Sequence, residues 1–451
     1  TITIGASGDT VTLGSGASQT GFGRTGTVDW NTTPKTTTFT AVSGDGFFAN
    51  TTGGAFTMNL PAGTAGAIVS VADYAGTWQT NNLTVSPNGT DKIGAVNADV
   101  ILSTEGQSVT FIFVDSTQGW LNIQDSTSNE RASFIEATGG TITCSGNCKI
   151  HTFTGPGTFT VSKISTSCAP VNNLVSYMIV AGGGGGGGTG PSHTAGGGGA
   201  GGVRETKSPA TPYTASPLDG FPTPGNRITL TATSFPITVG GGGAGAGEPD
   251  HGTQGSTSTA FGISSAGGGG GGSIASPGND PGRDGQPGGS GGGGSSQTAG
   301  SGGTGNTPSV TPAQGTNGAT GVDAPPDLRG GGGGGATAAG SQGSNSPFAQ
   351  GVGGAGATSC ISGSPVVRGG GGGSGGSALA PVTTGGAGGA GGGGAGGSAP
   401  GVASRLGGDG TANTGGGGGG AAGGSPAVGE GACRTGGDGG SGVVIIRYKA
   451  R

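Results

Sequence analysis

Apolar and polar residues alternate in short runs between residues 36 and 123, most clearly in AIVSVADY (67–74) and SVTFIFVD (108–115). Successive side chains of a strand point to opposite faces, so each run predicts a strand with one buried face. Turn sequences such as SGDG (43–46) separate the runs. No stretch repeats apolar residues at the spacing of an amphipathic helix. The pattern predicts a β-sandwich or jelly-roll domain over residues 20–127 and an all-β fold with essentially no α-helix.

Two shorter alternations precede this region, one at Ile2 and Ile4 and one at Val11 and Leu13. A β segment this short cannot bury its own apolar face. Its strand edges stay exposed unless a preceding β segment or another chain covers them. We expect residues 1–19 to be the end of a fibrous β shaft. A loosely structured leader is the alternative.

A small β connector is predicted over residues 128–180, where several strand-like runs end in LVSYMIV (174–180). This last run is apolar on both faces, which is typical of a central strand covered on both sides. The run GVVIIRY (442–448), near the other end of the chain, has the same character. We expect these two strands to pair, so that the region between them leaves and returns at one place.

Glycine dominates the region between the two strands. Most of the 119 glycines follow residue 180, and they form nine runs of four or more. Segments rich in Pro, Thr, Asn and Asp separate the runs, unlike the Gly/Ser mixture of a flexible linker. The runs begin at Gly182, Gly196, Gly240, Gly267, Gly291, Gly330, Gly369, Gly391 and Gly415, and an interrupted tenth segment spans residues 436–442.

Ordering so many glycines costs more backbone entropy than ordering any other residue type, so something must offset that cost. An extended helix with three residues per turn makes no internal hydrogen bonds and directs its backbone groups outward. Such helices can pack side by side when neighbours satisfy those groups, and only glycine allows the close approach. We therefore expect residues 181–451 to form a slab of packed polyglycine II helices closed by the strand 442–448. Disordered low-complexity chain is the alternative.

Composition and charge argue against several kinds of chemistry. Charged residues make up 9% of the chain and the formal net charge is −5, so no basic surface for nucleic acid is expected. No Gly-Lys-Ser/Thr phosphate loop occurs, and GxGxxG matches within glycine runs carry no information. No apolar run has the length of a membrane helix. We expect no catalytic residue, no metal and no cofactor.

Histidines and cysteines are few and scattered along the chain. His151 alternates with Phe153 in a predicted strand and is expected to be an ordinary surface or core residue. Cys144 and Cys148 flank a hairpin-like SGN sequence, where a disulfide and two free thiols both fit. His193 and His251 lie between glycine runs beside hydroxyl or acidic residues, a setting that favours ligand binding over catalysis.

Six segments follow one another along the glycine-rich region: KIHTFTGPGTFTV, VSYMIVAGGGGGGG, AGGGGAGGVR, ITVGGGGAG, TAFGISSAGGGGGG and GGSGVVIIRY. In this order they resemble the glycine-rich C-terminal domain of bacteriophage tail fibre and adhesin proteins. TITIGASGDTVTLGSGAS and VDSTQGWLNI look like segments of marine-phage tail fibres. The resemblance implies packed polyglycine helices, variable loops at a tip that contacts a host receptor, and a shaft that is a homotrimer.

If the path reverses at each glycine run, every second connection lies at the end remote from the paired strands. The connections expected at that remote end are 189–195, 244–266, 295–329, 374–390 and 421–435. The others, including RITLTATSFPITV (227–239), are expected near the paired strands. The candidate receptor-binding residues in the remote connections are Ser192, His193, Glu248, Asp250, His251 and Asp323.

The resulting hypothesis is a non-enzymatic adhesin at the tail fibre tip of a virion. Its expected partners are a host cell-surface glycan or outer-membrane protein and other tail fibre chains, with no nucleic acid and no membrane insertion. A structural extracellular filament or matrix protein is the main alternative, although the widely varying loops argue against uniform repeats. A polysaccharide depolymerase requires paired carboxylates, and no pairing is evident among the acidic residues of the β domain, Asp73, Asp91, Asp99, Glu105 and Asp115. Ice binding requires a regular Thr or Ala array, and the sequence shows no fixed period of that kind.

Overall fold

The chain divides into two compact units, residues 1–131 and 132–451. Within them the computed structural model describes residues 28–126, 134–165, 170–190, 193–247, 249–274, 281–325, 327–345, 348–377, 384–399, 405–424 and 434–450. The expected shaft, residues 1–19, lies outside the described residues. The fold is all-β. Helical structure in the described residues is limited to short 3-10 turns, Pro170–Asn173, Pro224–Asn226, Pro281–Arg283 and Gln297–Ala299.

The first unit contains two sheets that bury their apolar faces in one core. The core joins Val69, Phe111 and Trp120 of one sheet to Met58 and Leu83 of the other. The first sheet has the strand order β1-β3-β5-β8-β9, and the second has the order β2-β4-β6-β7. The strands are β1 (Asp29–Lys35), β2 (Phe39–Thr40), β3 (Asp45–Ala49), β4 (Phe56–Asn59), β5 (Ile68–Asp73), β6 (Leu83–Ser86), β7 (Val100–Leu102), β8 (Ser108–Asp115) and β9 (Gly119–Ser126).

The winding of this unit differs from a jelly roll. Successive strands from β1 to β6 alternate between the two sheets, and neighbours within each sheet are parallel, β1 with β3 with β5 and β2 with β4 with β6. Only β7, β8 and β9 add antiparallel pairs. The alternating sequence pattern predicted two facing layers correctly, but side-chain alternation is the same in parallel and antiparallel strands and does not fix the winding.

The second unit combines a β region with the glycine runs. Its largest sheet contains the order β11-β12-β24-β14-β15, and β10, β13 and β17 form a further sheet. The strands of this unit are β10 (Glu136–Thr138), β11 (Thr141–Ser145), β12 (Cys148–Phe153), β13 (Gly157–Lys163), β14 (Leu174–Val180), β15 (Val203–Thr206), β16 (Ile228–Thr229), β17 (Ser234–Ile237), β18 (Ser258–Ala260), β19 (Ile263–Ser265), β20 (Ser344–Asn345), β21 (Phe348–Ala349), β22 (Ala357–Ser359), β23 (Val366–Arg368) and β24 (Val443–Lys449).

The predicted pairing of the two bracketing strands is confirmed. β14 and β24 run antiparallel, with Val180 opposite Val443 and Ser176 opposite Arg447. Both strands are almost fully buried, because they lie at the centre of the sheet between two apolar clusters. The chain therefore enters and leaves the glycine region side by side. We call this end of the second unit the base, and the opposite end the distal end.

The glycine runs are joined by backbone hydrogen bonds that repeat every three residues. In the first run, Gly184 and Gly187 donate to Gly199 and Gly196 of the returning run, at 2.9 and 3.0 Å. The run donates in this way to three antiparallel segments and accepts from three parallel segments. Six neighbours thus surround it, around residues 196–199, 252–257, 434–442, 240–247, 266–274 and 415–424.

This repeat satisfies the buried backbone without side chains. A period of three is that of an extended helix with three residues per turn, and we interpret the runs as helices of polyglycine II type. Residues 182–188 and 196–199 are fully buried. At Gly184 an added Cβ would overlap the carbonyl oxygen of Gly269. The absence of side chains is therefore what lets neighbouring segments approach closely enough to bond.

The path through the slab reverses more often than the sequence analysis expected. Between the long runs lie further extended segments in which glycine recurs every third residue, as at Gly252 and Gly255 or at Gly386 and Gly389. Gly252 and Gly255 donate to Gly271 and Gly268, and a Cβ added to either would overlap a carbonyl oxygen of the first run, whereas Thr253, Gln254 and Ser256 are exposed. The expectation of one reversal per glycine run is wrong, because a segment at the rim needs glycine only on its inward face.

Candidate functional site

The order of the hydrogen bonds fixes which connections lie at the distal end. Outward and returning segments alternate, and the chain turns at the distal end after Thr189, Gly247, Ser273, Ser296 and Gly321. The described residues that flank the segments 344–349, 378–383, 400–404 and 425–433 also lie at this end. The distal end thus gathers connections from the whole length of the glycine region.

Several connections lie at the base instead, within ranges that the sequence analysis placed at the remote end. The hairpin of β18 and β19 is one, because the Ser258 hydroxyl donates to Val180 O at 2.8 Å. Residues 307–314 are another, since Gln314 O accepts from the N–H of Val203. The segment 227–239 does lie at the base as expected, where β16 pairs with β14 and β17 pairs with β13. The sequence analysis assigned these connections to the wrong end because it did not anticipate the additional chain reversals.

The candidate residues that the structure describes lie in distal turns. The Thr189 hydroxyl donates to His193 O at 2.7 Å and closes the first turn. Asp250 is exposed in a turn closed by its own N–H donating to Gly247 O at 3.0 Å. His251, its neighbour, donates from Nδ1 to Gly252 O at 3.1 Å. Ser192 and Glu248 lie outside the described residues.

Two of these turns are linked to each other. The N–H of Thr194 donates to the Ser296 hydroxyl at 2.9 Å, and the N–H of Ser296 donates back to Thr194 O. Two residues after Ser296, the N–H of Thr298 donates to Asp323 Oδ2 at 3.0 Å. His193 and Asp323 therefore belong to one connected surface region. Asp250 and His251 occupy a separate turn beside the segment 240–247.

Arginine side chains at the distal end are the functional candidates that the sequence analysis missed. Arg283 donates from Nη1 to the Thr298 hydroxyl at 2.7 Å. Arg329 is only 5% exposed, and its guanidinium lies over the ring of Phe348. Arg405 is also 5% exposed, and it lies beside Arg434. Each of these arginines directly flanks a distal connection, a position visible in the sequence once the reversals are known.

Buried polar atoms without hydrogen-bond partners occur at the distal end, at the base and in the first unit. Thr194 Oγ1, Ser295 Oγ and Ser374 Oγ are fully buried and unpaired, as are Arg329 Nε and Arg405 Nε. Burying a polar group without a partner costs about 1–3 kcal/mol. Because these atoms are closed to solvent and others like them lie at the base, they do not mark the distal layer as a binding surface.

Charged residues at the base make hydrogen bonds to backbone and hydroxyl groups, and two of their atoms, Arg368 Nη1 and Arg447 Nε, are buried without a partner. Glu205 accepts from the N–H of Ser216 and from the Ser359 hydroxyl, at 2.9 and 2.6 Å. Arg447 donates to Ile361 O and Pro212 O, at 3.3 and 3.1 Å. Burial raises the pKa of the Tyr213 phenol, against which Arg447 packs. These contacts attach the base connections to the sheet and are structural.

Histidine, cysteine and acidic side chains do not gather into a metal site in the described part of the chain. No cluster of three or more His, Cys, Asp or Glu residues suited to a metal ion occurs there. His151 is fully buried between Gly139 and Tyr448. Cys144 and Cys148, for which a disulfide and free thiols were both possible, are free, as is Cys360. No helix of the described residues is long and apolar enough to cross a membrane.

Comparison with known proteins identifies the second unit. A family model described as a glycine-rich domain matches residues 153–449. The match begins in β12 and ends in β24, so it contains the paired bracketing strands and every glycine run. No curated protein matches the chain.

Proposed function

The chain belongs to the glycine-rich domain family, and from this premise we propose that it is a bacteriophage tail fibre protein whose glycine-rich unit acts as a host receptor-binding adhesin. In this proposal the distal connections contact the cell surface. The receptor is a glycan or an outer-membrane protein, and the protein resides at the tail fibre tip of the virion.

One observation carries the proposal: the slab is held by its backbone, while its connections differ widely in sequence. Because hydrogen bonds between glycines hold the segments together, a changed connection disturbs few scaffold contacts. Loops on a rigid scaffold are where recognition commonly resides. A surface of this kind suits a protein that must change its receptor without changing its fold.

The proposed partners in the particle are other tail fibre chains, with a homotrimeric shaft formed through the first residues of the chain.

Host adsorption of phage particles tests the distal surface. Substituting His193, Asp250, His251 or Asp323 with alanine is expected to reduce adsorption while thermal unfolding of the purified chain stays unchanged. The matched control is Ser364→Ala, an exposed residue of the base connection between β22 and β23. Equal adsorption of all five variants and the parent would contradict the proposed surface.

Electron microscopy of virions with an antibody to residues 181–451 tests the location. Label at the distal ends of the tail fibres is expected. Absence of label on virions, together with label on extracellular filaments, would favour a matrix protein instead.

A further inference from the structure

We propose that the first unit binds a neutral glycan chain on the outer face of its five-stranded sheet, with sugar rings stacking on Trp30, Phe48 and Tyr74. We call these three side chains the aromatic row. The site involves none of the distal connections of the glycine-rich unit, and it does not rest on the function proposed above.

Strand register places the aromatic row on the face that points away from the core. Phe47 lies in the core, so its neighbours Gly46 and Phe48 point to the outer face of β3. Trp30 of β1 is directly opposite Gly46 and shares that face. The ring centroids of Trp30 and Phe48 are 5.0 Å apart, and those of Phe48 and Tyr74 are 6.4 Å apart. The three rings therefore form one continuous row.

The aromatic row is exposed in a unit whose other tryptophans are fully enclosed. Trp30 is 44% exposed and Tyr74 is 49% exposed, whereas Trp78 and Trp120 have no exposed surface. Single exposed apolar residues are common, but a contiguous group of exposed rings marks an interaction site.

The Trp30 indole lies against the backbone of the neighbouring strand. A Cβ built on Gly46 would be 2.7 Å from Cδ2 and 2.8 Å from Cε3 of the indole, so the absence of a side chain there lets the ring lie on β3. Covering a glycine with an aromatic ring stabilises a strand, but that role accounts for Trp30 alone and not for the exposed Tyr74. A ring that is already fixed against the sheet loses little conformational freedom when a ligand stacks on it.

Uncharged residues adjoin the aromatic row across the sheet. The residues that lie in line with Gly46 and with Phe48 on the following strands are Ser70, Thr110 and Gln124, and Ala72, Ser108 and Ser126. A sugar ring presents C–H groups on its faces and hydroxyls at its edges, which match aromatic faces and neighbouring hydroxyl or amide groups. An acidic glycan would lose hydration here without gaining a cationic partner. The neutral face therefore favours a neutral ligand.

The size of the aromatic row argues against a second copy of the chain as the occupant. Aromatic side chains with these exposed fractions present roughly 300 Å² or less of surface in total. A stable interface between proteins buries about 800 Å² on each partner. The adjoining hydroxyl and amide residues do not extend the apolar surface toward that size.

Trp30 provides a fluorescence reporter for the site, because the other two tryptophans are buried. In the free chain acrylamide is expected to quench Trp30 far more readily than Trp78 and Trp120. The purified full chain is titrated with maltohexaose, cellohexaose and chitohexaose. At least one of these neutral chains is expected to bind and to protect Trp30 from quenching. Glucose is expected to bind about tenfold more weakly or less, because one sugar covers one ring.

Tyr74→Ala is the deciding variant, since it removes one ring, keeps the Trp30 reporter and leaves Gly46 covered. It is expected to weaken glycan binding by about threefold or more in calorimetric titration, with an unchanged melting temperature. Ile101→Ala is the matched control: Ile101 is 61% exposed on the other sheet, and its variant is expected to keep the binding of the parent.

Absence of binding by all three chains, or equal binding by the parent and Tyr74→Ala, overturns the site. Protection of Trp30 from acrylamide in the free chain overturns it as well. Protection that disappears on dilution, together with dissociation in sedimentation, would assign the face to a second copy. Protection at every concentration would show that another part of the chain covers the rings. None of these outcomes bears on the distal surface, which host adsorption and antibody labelling test separately.

Discussion

At the scale of single residues, the glycine-rich unit depends on missing side chains at some positions and on one buried imidazole at another. Glycines within the long runs differ in what surrounds them. Gly184 is enclosed by six segments, whereas Gly241 is exposed and an added Cβ there would meet nothing within 4 Å. Two glycines that lie close together in the slab therefore differ greatly in whether a side chain is tolerated.

We expect Gly184→Ala to destabilise the protein and Gly241→Ala to leave it stable. The alanine methyl at position 184 overlaps the Gly269 carbonyl, and separating the segments costs about 2–3 kcal/mol of unfolding free energy. Alanine at position 241 restricts the unfolded chain and changes stability by about 0.5 kcal/mol in the stabilising direction. Thermal or denaturant unfolding measures both. Equal stability of the two variants would contradict the close packing.

His151 makes the stability of the second unit depend on pH. Nδ1–H donates to Gly139 O at 2.7 Å, so Nε2 is the acceptor for the Tyr448 hydroxyl at 3.1 Å. Burial lowers the pKa of His151, with the Gly139 hydrogen bond partly opposing that effect. The folded protein thus holds this imidazole neutral at a pH where the unfolded chain, with its pKa of about 6.5, takes up a proton.

Stability is therefore expected to be full above about pH 6.5 and to fall as the pH drops below it, by up to about 1.4 kcal/mol per pH unit. Below the lowered pKa of the folded state the dependence on this residue ends. His151→Gln is expected to flatten this part of the profile in unfolding measurements between pH 7 and 5. An unchanged slope in that variant would assign the pH dependence to other groups.

At the scale of elements, the slab consists of two kinds of extended segment. Those in the centre are glycine at nearly every position, because neighbours contact all three of their faces. Those at the rim keep glycine at the positions that face neighbouring segments, one in three in GTQGST (252–257) and two in three in GGAGGA (385–390). There Gly386 and Gly389 are buried and donate into the slab, while Ala387 and Ala390 are exposed.

This difference predicts opposite tolerance at adjacent residues of one rim segment. Gly386→Ala places a methyl group on the carbonyl oxygen of Gly351 and is expected to cost about 2 kcal/mol or more. Ala387→Ser adds an exposed hydroxyl and is expected to change stability by less than about 0.5 kcal/mol. Unfolding midpoints of the two variants provide the comparison. A large loss for Ala387→Ser would mean that this side chain faces a neighbouring segment and not solvent.

At the scale of the whole molecule, the chain contains two units with separate cores. The core of the first unit draws only on residues before residue 121, and the clusters of the second unit begin at Ile135. The second unit closes on itself because β24 returns to lie beside β14. Each unit thus has the burial needed for independent stability.

A fragment of residues 132–451 is expected to fold without the first unit. Calorimetry of this fragment is expected to give one cooperative transition that coincides with a transition of the full chain, because the base sheet and the slab lie within it. A shorter fragment that ends at residue 442 removes β24 and is expected to lose that transition. Failure of the longer fragment to unfold cooperatively would indicate that the first unit stabilises the second.

The all-β class, the pairing of LVSYMIV with GVVIIRY and the packing of glycine runs against one another could be predicted from the sequence alone. These features depend on local properties: two-residue alternation, strands apolar on both faces, and a residue without a side chain. The sequence also predicted that His193, Asp250, His251 and Asp323 lie in turns, while their role in binding remains a prediction.

The path through the slab and the groups that meet at its distal end could be read only from the folded chain. A rim segment needs only one or two glycines in three, and that spacing is inconspicuous beside runs of six or seven. Because the sequence analysis missed those segments, it assigned the hairpin of β18 and β19 to the wrong end. For the same reason it did not predict that Arg405 lies near Arg434, 29 residues away in the sequence. Contacts between segments distant in sequence depend on how often the chain reverses, and the reversals are fixed by hydrogen bonds across the whole slab.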